Sequence, residues 1–331
     1  MFDELQFYNH IQRDFPLELR PYFCAAEALG MSERMVLSLL ARDLGAGRIS
    51  RIGAVFAPNT IGVSTLAALA VPSARMDRVA GRVSADPAVS HNYARDGHHY
   101  NLWFVAGARD RPQLDAVLDD IAYDVGQAPL DLPLEREYHI DLGFPLSRGR
   151  HGAREARGPR ETCTQPAQAL SHADWRLIAA LEAGLPLTPF PYHALARRCG
   201  ISPTEILCRL AQWRNTGIIR RFGAILHHRK FGYAHNAMCV WNVPDARVDA
   251  IGMRLAHVPH VTLCYRRPRR LPDWPYNLFA MVHARSQAEL QATLARFNAV
   301  GGLAAVPRAV LPASRCFKQR GTRYSCTLAA A

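Results

Sequence analysis

Three histidines fall within nine residues of one another, in a stretch that runs Ser90-His91-Asn92-Tyr93 and then His98-His99-Tyr100-Asn101-Leu102-Trp103-Phe104. An imidazole with an ordinary pKa of about 6.5 can both give and take a proton near neutrality. His91, His98 and His99, with Tyr93 and Tyr100 beside them, are therefore candidates for acid–base chemistry. A second stretch, Cys264-Tyr265-Arg266-Arg267 followed by Arg269, Arg270 and Trp274-Pro275-Tyr276-Asn277-Leu278-Phe279, gathers four guanidinium groups, whose planar forks suit carboxylates or phosphates. Plainer readings stay open for both. Loop histidines are commonly solvated, His91 could be an ordinary strand residue, and a basic run is commonly a solvated loop, although Trp274 and Pro275 argue for partial burial of this one.

The two stretches are counterparts in an internal repeat. Phe15-Pro16-Leu17 matches Leu185-Pro186-Leu187, and Gly30 matches Gly200, at an offset of 170. The same offset carries Ile49-Ser50-Arg51-Ile52-Gly53-Ala54-Val55 onto Ile219-Arg220-Arg221-Phe222-Gly223-Ala224-Ile225. Val71-Pro72 matches Val243-Pro244 at 172, and Tyr100-Asn101-Leu102 matches Tyr276-Asn277-Leu278 at 176. The chain is thus one unit written twice. His91 aligns with Leu263 and Tyr93 with Tyr265, so the motif histidine stands in the first copy and the arginine run in the second. Acid–base work is expected of the first copy and anion binding of the second.

Each copy opens with a helix-turn-helix pattern. An apolar helix reaches Gly30 or Gly200, and Ser32 or Ser202 then caps a helix carrying Val36, Leu37, Leu39 and Leu40, or Ile206, Leu207 and Leu210. After Gly47 or Gly217 the apolar period becomes alternating, as a wing strand requires. The first copy continues as strand 65–71, helix 76–84, hairpin 89–106, helix 112–124 and strand 134–140. That βαββαβ order is ferredoxin-like, with one sheet face left to be covered by a partner. The fold expected is α+β, a tandem duplication of a winged helix-turn-helix plus a ferredoxin-like sheet domain. Its parts are a winged helix-turn-helix at 1–60, a sheet domain at 61–146, an Arg/Gly/Pro-rich linker at 147–170, a second winged helix-turn-helix at 171–230 and a second sheet domain at 231–325.

Composition adds an anionic partner. The 331 residues contain 40 Lys+Arg against 28 Asp+Glu, a formal net charge of +12, and only Lys230 and Lys318 are lysines. A GC-rich coding sequence accounts for part of that arginine bias. The eight cysteines form no C-x-x-C pair and are expected to be reduced thiols. The longest apolar stretch, 61–72, is too short to span a bilayer. The acidic start is unlike a signal peptide, so a cytoplasmic protein with no membrane partner is expected.

A winged helix followed by a βαββαβ domain resembles the Lrp/AsnC family of amino-acid-responsive regulators. The three motifs quoted above narrow this to a resemblance to the siroheme decarboxylases, Lrp-like pairs of subunits sometimes fused in one chain, as in the NirDL proteins. The resemblance implies conversion of siroheme to 12,18-didecarboxysiroheme by loss of two acetate carboxyl groups as CO2, in haem d1 or alternative haem biosynthesis. It implies no separate cofactor, because the iron belongs to the substrate. The two halves would form an internal pseudo-dimer, with a further homodimer open.

Under this resemblance His91 is catalytic together with His98 or His99. Gly97 looks like an extra residue, and His98 is favoured for the second motif position. Axial ligation of the substrate iron by one histidine is a further alternative. Tyr93, Arg95, Tyr100, Tyr265, Arg266, Arg267, Arg270 and Tyr276 are expected to contact substrate, with Arg267→Ala mainly weakening binding. Carboxylates that survive should be paired with arginine, and the reacting one left without such a partner. Arg51 and Arg221 are read equally as substrate contacts or as bridges between winged helix and sheet, and His228 is a secondary pocket candidate. The rival reading is an Lrp/AsnC-like DNA-binding regulator. Glu33, Arg34, Ser38 and Arg42 on one reading helix, and Thr204, Glu205, Arg209 and Gln212 on the other, make neither strongly basic, and DNA binding is not expected.

Overall fold

The computed structural model describes residues 3–13, 15–141, 143, 146, 160–161, 170–300 and 302–325. The first half runs α1 (Glu4–Arg13), α2 (Pro21–Ala28), α3 (Glu33–Gly45), β1 (Ile49–Phe56), β2 (Val63–Leu69), α4 (Met76–Ala85), β3 (Val89–Arg95), β4 (Leu102–Ala108), α5 (Arg111–Val125), β5 (Leu130–Pro133) and β6 (Arg136–Ile140). A short strand β7 (Arg160–Glu161) follows. The second half runs α6 (His172–Ala183), α7 (Pro191–Cys199), α8 (Pro203–Asn215), β8 (Ile219–Leu226), β9 (His235–Trp241), α9 (Asp245–Leu255), β10 (Val261–Arg266), β11 (Leu278–Ala284), α10 (Gln287–Ala299) and β12 (Arg308–Gln319). The expected linker, apart from β7 and residue 170, lies outside the described residues, as do Cys163 and Cys326. Among the described residues no helix is long and apolar enough to cross a membrane.

The chain divides into two compact units that group like with like. The first unit comprises 1–61, 143–152 and 165–231, and the second 62–142, 153–164 and 232–331. The first holds both helix-turn-helix segments. Ser32 accepts the Met35 N–H at 3.2 Å, and Ser202 forms a reciprocal capping box with Glu205. Gly30 and Gly200 make the preceding turns at φ of 64° and 70°, a left-handed conformation that favours glycine. The wing strands do not fold back within their own halves. β1 pairs antiparallel with β8, with Gly53 opposite Gly223. A Cβ at Gly53 would come within 2.9 Å of the Leu181 carbonyl, and one at Gly223 within 2.5 Å of the Ile11 carbonyl. Glycine at both places therefore lets each ribbon strand press onto the first helix of the other half.

The second unit carries one sheet in the order β5-β2-β4-β3-β12-β9-β11-β10-β6-β7. Within it each half keeps the ferredoxin-like order, β5-β2-β4-β3 and β12-β9-β11-β10. The final strand of each half starts at home and ends abroad. β5 pairs with β2, whereas β6 pairs with β10; the start of β12 pairs with β9, whereas its end pairs with β3. The first of these crossings falls at Pro133, which has no N–H to continue a ladder, and the Glu135 N–H then donates to the Arg266 carbonyl at 3.0 Å. The strand expected at 134–140 therefore begins at Leu130 and is broken at this crossing.

Strand alternation gives three apolar layers. Phe104, Val79, Val83 and Ile121 fill the space under α4 and α5, and Trp241, Val248, Ile251 and Phe297 that under α9 and α10. Between them lies a core drawn from both halves, with Leu66, Trp103, Leu132, Met238, Tyr265, Trp274, Phe279 and Leu311. Cys239 and Cys264 are buried, and burial pushes both thiols up, Cys239 to about 12, so neither is poised to react.

Candidate functional site

β3 shows its two faces by its partners. The Asn92 amide donates to the Ala80 carbonyl and to Ser84 Oγ of α4, both at 3.0 Å, so Asn92 faces the helices. His91, Tyr93 and Arg95 consequently share the opposite, inner face. The His91 and Tyr93 rings are stacked with centroids 6.5 Å apart, and the Arg95 guanidinium lies 5.5 Å from the Tyr93 centroid.

His91 is half-buried beside a bulge between β3 and β4. Its Nδ1 lies 3.0 Å from Ser90 Oγ, and that hydroxyl donates its one hydrogen to the Val105 carbonyl at 3.3 Å. Assigned from this hydrogen-bond pattern, Ser90 accepts from His91 and the neutral ring carries its proton on Nδ1. This arrangement tolerates both protonation states, since adding a proton at Nε2 breaks nothing at Nδ1.

His98 is arranged the other way round. It sits in the β3–β4 turn, where Gly97 at φ 92° brings the chain so close to β12 that a Cβ would lie 2.5 Å from the Val310 carbonyl. His98 Nδ1 accepts the Tyr100 N–H at 3.1 Å, which places the neutral ring's proton on Nε2. Protonation would cost that hydrogen bond. Burial, with the neighbouring His99 adding to it, also holds the His98 imidazole below its ordinary value. Its ring meets Trp274 edge-on at 5.1 Å and Tyr276 at 6.2 Å, both from the second half, while His99 is exposed. The three histidines are thus not one cluster on one sheet face. Tyr93 and Arg95 separate His91 from the pair in the turn, about 13 Å of strand from 91 to 95 alone.

The Tyr-Asn-Leu repeat has a structural cause. Asn101 accepts the Val71 N–H and donates to the Val71 carbonyl, each at 2.9 Å; Asn277 does the same with Val243 at 2.9 and 3.0 Å. These clamps fix both hairpin ends. Tyr100, whose hydroxyl is pushed up by burial and by Asp273, presents its carbonyl to Trp103 Nε1 at 2.8 Å.

The arginine run separates into different jobs. Arg266 pairs with Glu135 at 2.9 Å and Arg269 with Asp245 at 2.7 Å. Half-buried Arg267 lies over Tyr265 at 4.5 Å and donates to the Leu132 carbonyl, and burial pulls its guanidinium below its ordinary range. Arg95, 6% exposed, likewise donates to the Leu311 carbonyl at 3.0 Å, and lies 3.4 Å from Asn236 Oδ1. Among the described residues Arg267 and Arg270 have no acidic partner, and Arg267 is committed to the Leu132 carbonyl. The Arg270 side chain donates to the Arg269 carbonyl at 3.4 Å, while its backbone is bridged to fully buried Trp274.

Arg51, Arg221 and His228 belong to the first unit. Arg51 donates to the Ala54 carbonyl and Arg221 to the Ala224 carbonyl, each at 3.0 Å, and Arg221 also to the Gln12 carbonyl at 2.6 Å. These are bonds that hold the ribbon together. His228 is buried in a 3-10 turn, His228–Phe231. A groove of about 290 Å³ lined by Trp241, Phe297, Asn298 and Arg308 contains none of the candidate residues. Sequence reasoning missed the contact of the Ser90 hydroxyl with His91 Nδ1, although the two residues are adjacent.

A duplicated helix-turn-helix joined to a sheet domain of ferredoxin order, with a titratable inner strand, defines an AsnC-like ligand-binding architecture. A model of the AsnC-like ligand binding domain matches residues 60–139 and 230–318, and a siroheme decarboxylase NirDL-like helix-turn-helix model matches 8–49 and 174–220. A siroheme decarboxylase NirDL subunit from Paracoccus pantotrophus is 44% identical over 319 residues, covering 96% of each chain. A siroheme decarboxylase from Hydrogenobacter thermophilus is 29% identical over 95% of this chain and 92% of its own. The crystal structure of the siroheme decarboxylase NirDL superposes with a TM-score of 0.69 at 26% identity, over 97% of this chain and 94% of that one. A second, in co-complex with an iron-uroporphyrin III analogue, gives 0.68 at 25%, over 98% and 95%. The chain belongs to the siroheme decarboxylase NirDL family.

Proposed function

We propose that this chain decarboxylates siroheme, converting it to 12,18-didecarboxysiroheme. Each of the two reacting acetate side chains loses its carboxylate as CO2, and the remaining methylene takes up one proton to become a methyl group. The change is redox-neutral, so the reading includes no cofactor, and the iron enters with the substrate. The observation that carries the assignment is the 44% identity to a NirDL siroheme decarboxylase subunit across both halves. Haem d1 formation in the cytoplasm is the context that goes with it.

His91 is the proton donor in this reading. Its Nδ1–H stays on Ser90 Oγ while Nε2–H passes to the developing carbanion, and the ring relaxes into the neutral tautomer that Ser90 already holds. His98, held neutral with its hydrogen on Nε2, is suited to donating a hydrogen bond to the substrate, not to delivering a proton. His99 is assigned no step. Arg270 is the guanidinium available to a carboxylate that must survive, because Arg266 and Arg269 already have acidic partners and Arg267 is committed to the Leu132 carbonyl. A carboxylate kept from such a partner lies nearer to losing CO2.

The regulator reading is disfavoured by charge. Arg42 of α3 pairs with Asp43 and Glu4, and Arg209 of α8 pairs with Asp174. Phosphate neutralisation needs cations that are not already matched. Anaerobic incubation with siroheme, followed by mass spectrometry, tests the assignment: loss of two CO2 per macrocycle is expected, and tight spectral binding with unchanged mass would overturn it.

A further inference from the structure

Ser90 and Thr262 occupy equivalent places in the two halves. The hydroxyl of each donates to the equivalent carbonyl of the neighbouring strand, Val105 and Met281, both at 3.3 Å. In the second half the other partner is the buried His283, whose Nδ1 lies 2.8 Å from Thr262 Oγ1. The residue at the His283 position in the first half is Gly107, and its missing side chain leaves room for something else. A Cβ there would collide with Thr322 Cγ2.

Thr322 lies in residues 320–325, which leave β12 and continue along β3. The Arg320 N–H donates to the Ser90 carbonyl at 2.9 Å, and Thr322 Oγ1 donates to Ser90 Oγ at 3.3 Å. Buried Tyr324 packs against Gly62 and Gly107, where a Cβ would again collide or crowd. The end of the chain thus supplies to Ser90 the partner that a strand residue supplies to Thr262.

We infer that Thr322 is a positioning residue for His91, acting through Ser90. The Ser90 hydroxyl has one hydrogen and two lone pairs. With the hydrogen on Val105 and one lone pair taken by Thr322, the hydroxyl is locked as an acceptor toward His91 Nδ1. Without Thr322 it can turn, donate to Nδ1 instead, and move the imidazole proton to Nε2. The site of the first half is therefore built partly by a segment 232 residues away in the chain.

This inference rests on His91 being the proton donor, and the test separates the two. In the full chain with ¹⁵N-labelled histidine, the His91 signal of the wild type should report the Nδ1–H tautomer. Thr322→Val should shift it toward Nε2–H, lower kcat for siroheme about tenfold with KM within twofold, and move the acidic limb of the pH profile. Thr322→Ser should restore all three. Gly107→Ala, which displaces the strap without altering Ser90 or His91, should reproduce the shift by a second route. An unmoved tautomer in both Thr322→Val and Gly107→Ala overturns the inference. A shifted tautomer with full turnover in Thr322→Val and in His91→Ala upholds the positioning and overturns His91 as the donor.

Discussion

Arg95 and Arg267 are each other's counterpart, and each crosses into the opposite half. Arg95 lies over its own Tyr93 and donates to the carbonyl of Leu311; Arg267 lies over its own Tyr265 and donates to the carbonyl of Leu132. Leu311 pairs with Met238 and Leu132 with Leu66, so the two acceptors occupy matching rungs of the exchanged strands. A guanidinium placed this way pins the halves together through main chain, where no side-chain substitution can remove the acceptor.

The first prediction concerns that pin. Arg267→Ala should act on stability more than on ligand affinity, contrary to what a free basic loop would give. Removing the donor leaves the Leu132 carbonyl without it and strips the Tyr265 face, at a cost of about 1–3 kcal/mol. Arg95→Ala should cost a similar amount. Urea unfolding followed by tryptophan fluorescence measures both, and a raised KM with unchanged unfolding midpoint would return Arg267 to the substrate.

A second prediction separates the arginines of the run. Arg270→Gln should raise KM for siroheme by about tenfold or more, the worth of a charge-assisted hydrogen bond to a carboxylate, and leave the unfolding midpoint in place. Arg269→Gln should do the reverse. Arg269 holds Asp245, Asn242 and the Pro275 carbonyl at 2.7, 3.0 and 3.1 Å and so shapes the loop. Steady-state kinetics beside denaturation curves on both variants decides it.

His98 yields a prediction in pH. Its folded-state pKa lies below the ordinary 6.5, by burial first and by His99 second. Between those two values the unfolded chain binds more protons than the folded one, so stability rises with pH. The His98 contribution is least unfavourable above about pH 6.5 and worsens as the pH falls toward the folded value. His98→Gln should flatten that part of the stability curve, measured by urea unfolding between pH 5 and 8, and an identical slope in both proteins would contradict the assignment. His227, held low by burial and by Lys230, supplies a second component of the same sign that the substitution leaves in place.

Much of this architecture was legible because the sequence repeats. Tyr-Asn-Leu recurs because Asn101 and Asn277 each clamp a valine, and the Ile-Gly-Ala and Phe-Gly-Ala segments recur because Gly53 and Gly223 face one another. What stayed hidden was carried by contacts without periodicity. Alternation marks β6 and the end of β12 as strands but does not say whose sheet they join. Four arginines in five positions look alike in sequence, and only the distances to Glu135, Asp245 and Leu132 tell them apart. His98 and His99 are adjacent letters, yet one is half-buried against Trp274 and the other exposed. The fold was thus readable from local pattern, and the division of labour within the candidate site was not.

The last prediction is that His91→Ala cuts product formation by orders of magnitude while siroheme still binds. The second half offers no replacement at that position, since the aligned residue is Leu263. His283, the imidazole held by the equivalent hydroxyl, belongs to the neighbouring strand β11. His98 cannot substitute readily either, because protonating its Nδ1 costs the Tyr100 hydrogen bond. Binding should survive because the carboxylate contact assigned to Arg270 does not depend on His91. The shift of the siroheme absorption bands on titration reports binding, and mass analysis of a single turnover reports chemistry. Retained binding with rates down by about 10²–10⁴, the range associated with a positioned acid, is the expected pair. Full turnover in this variant would remove the proton from His91 and with it the mechanism.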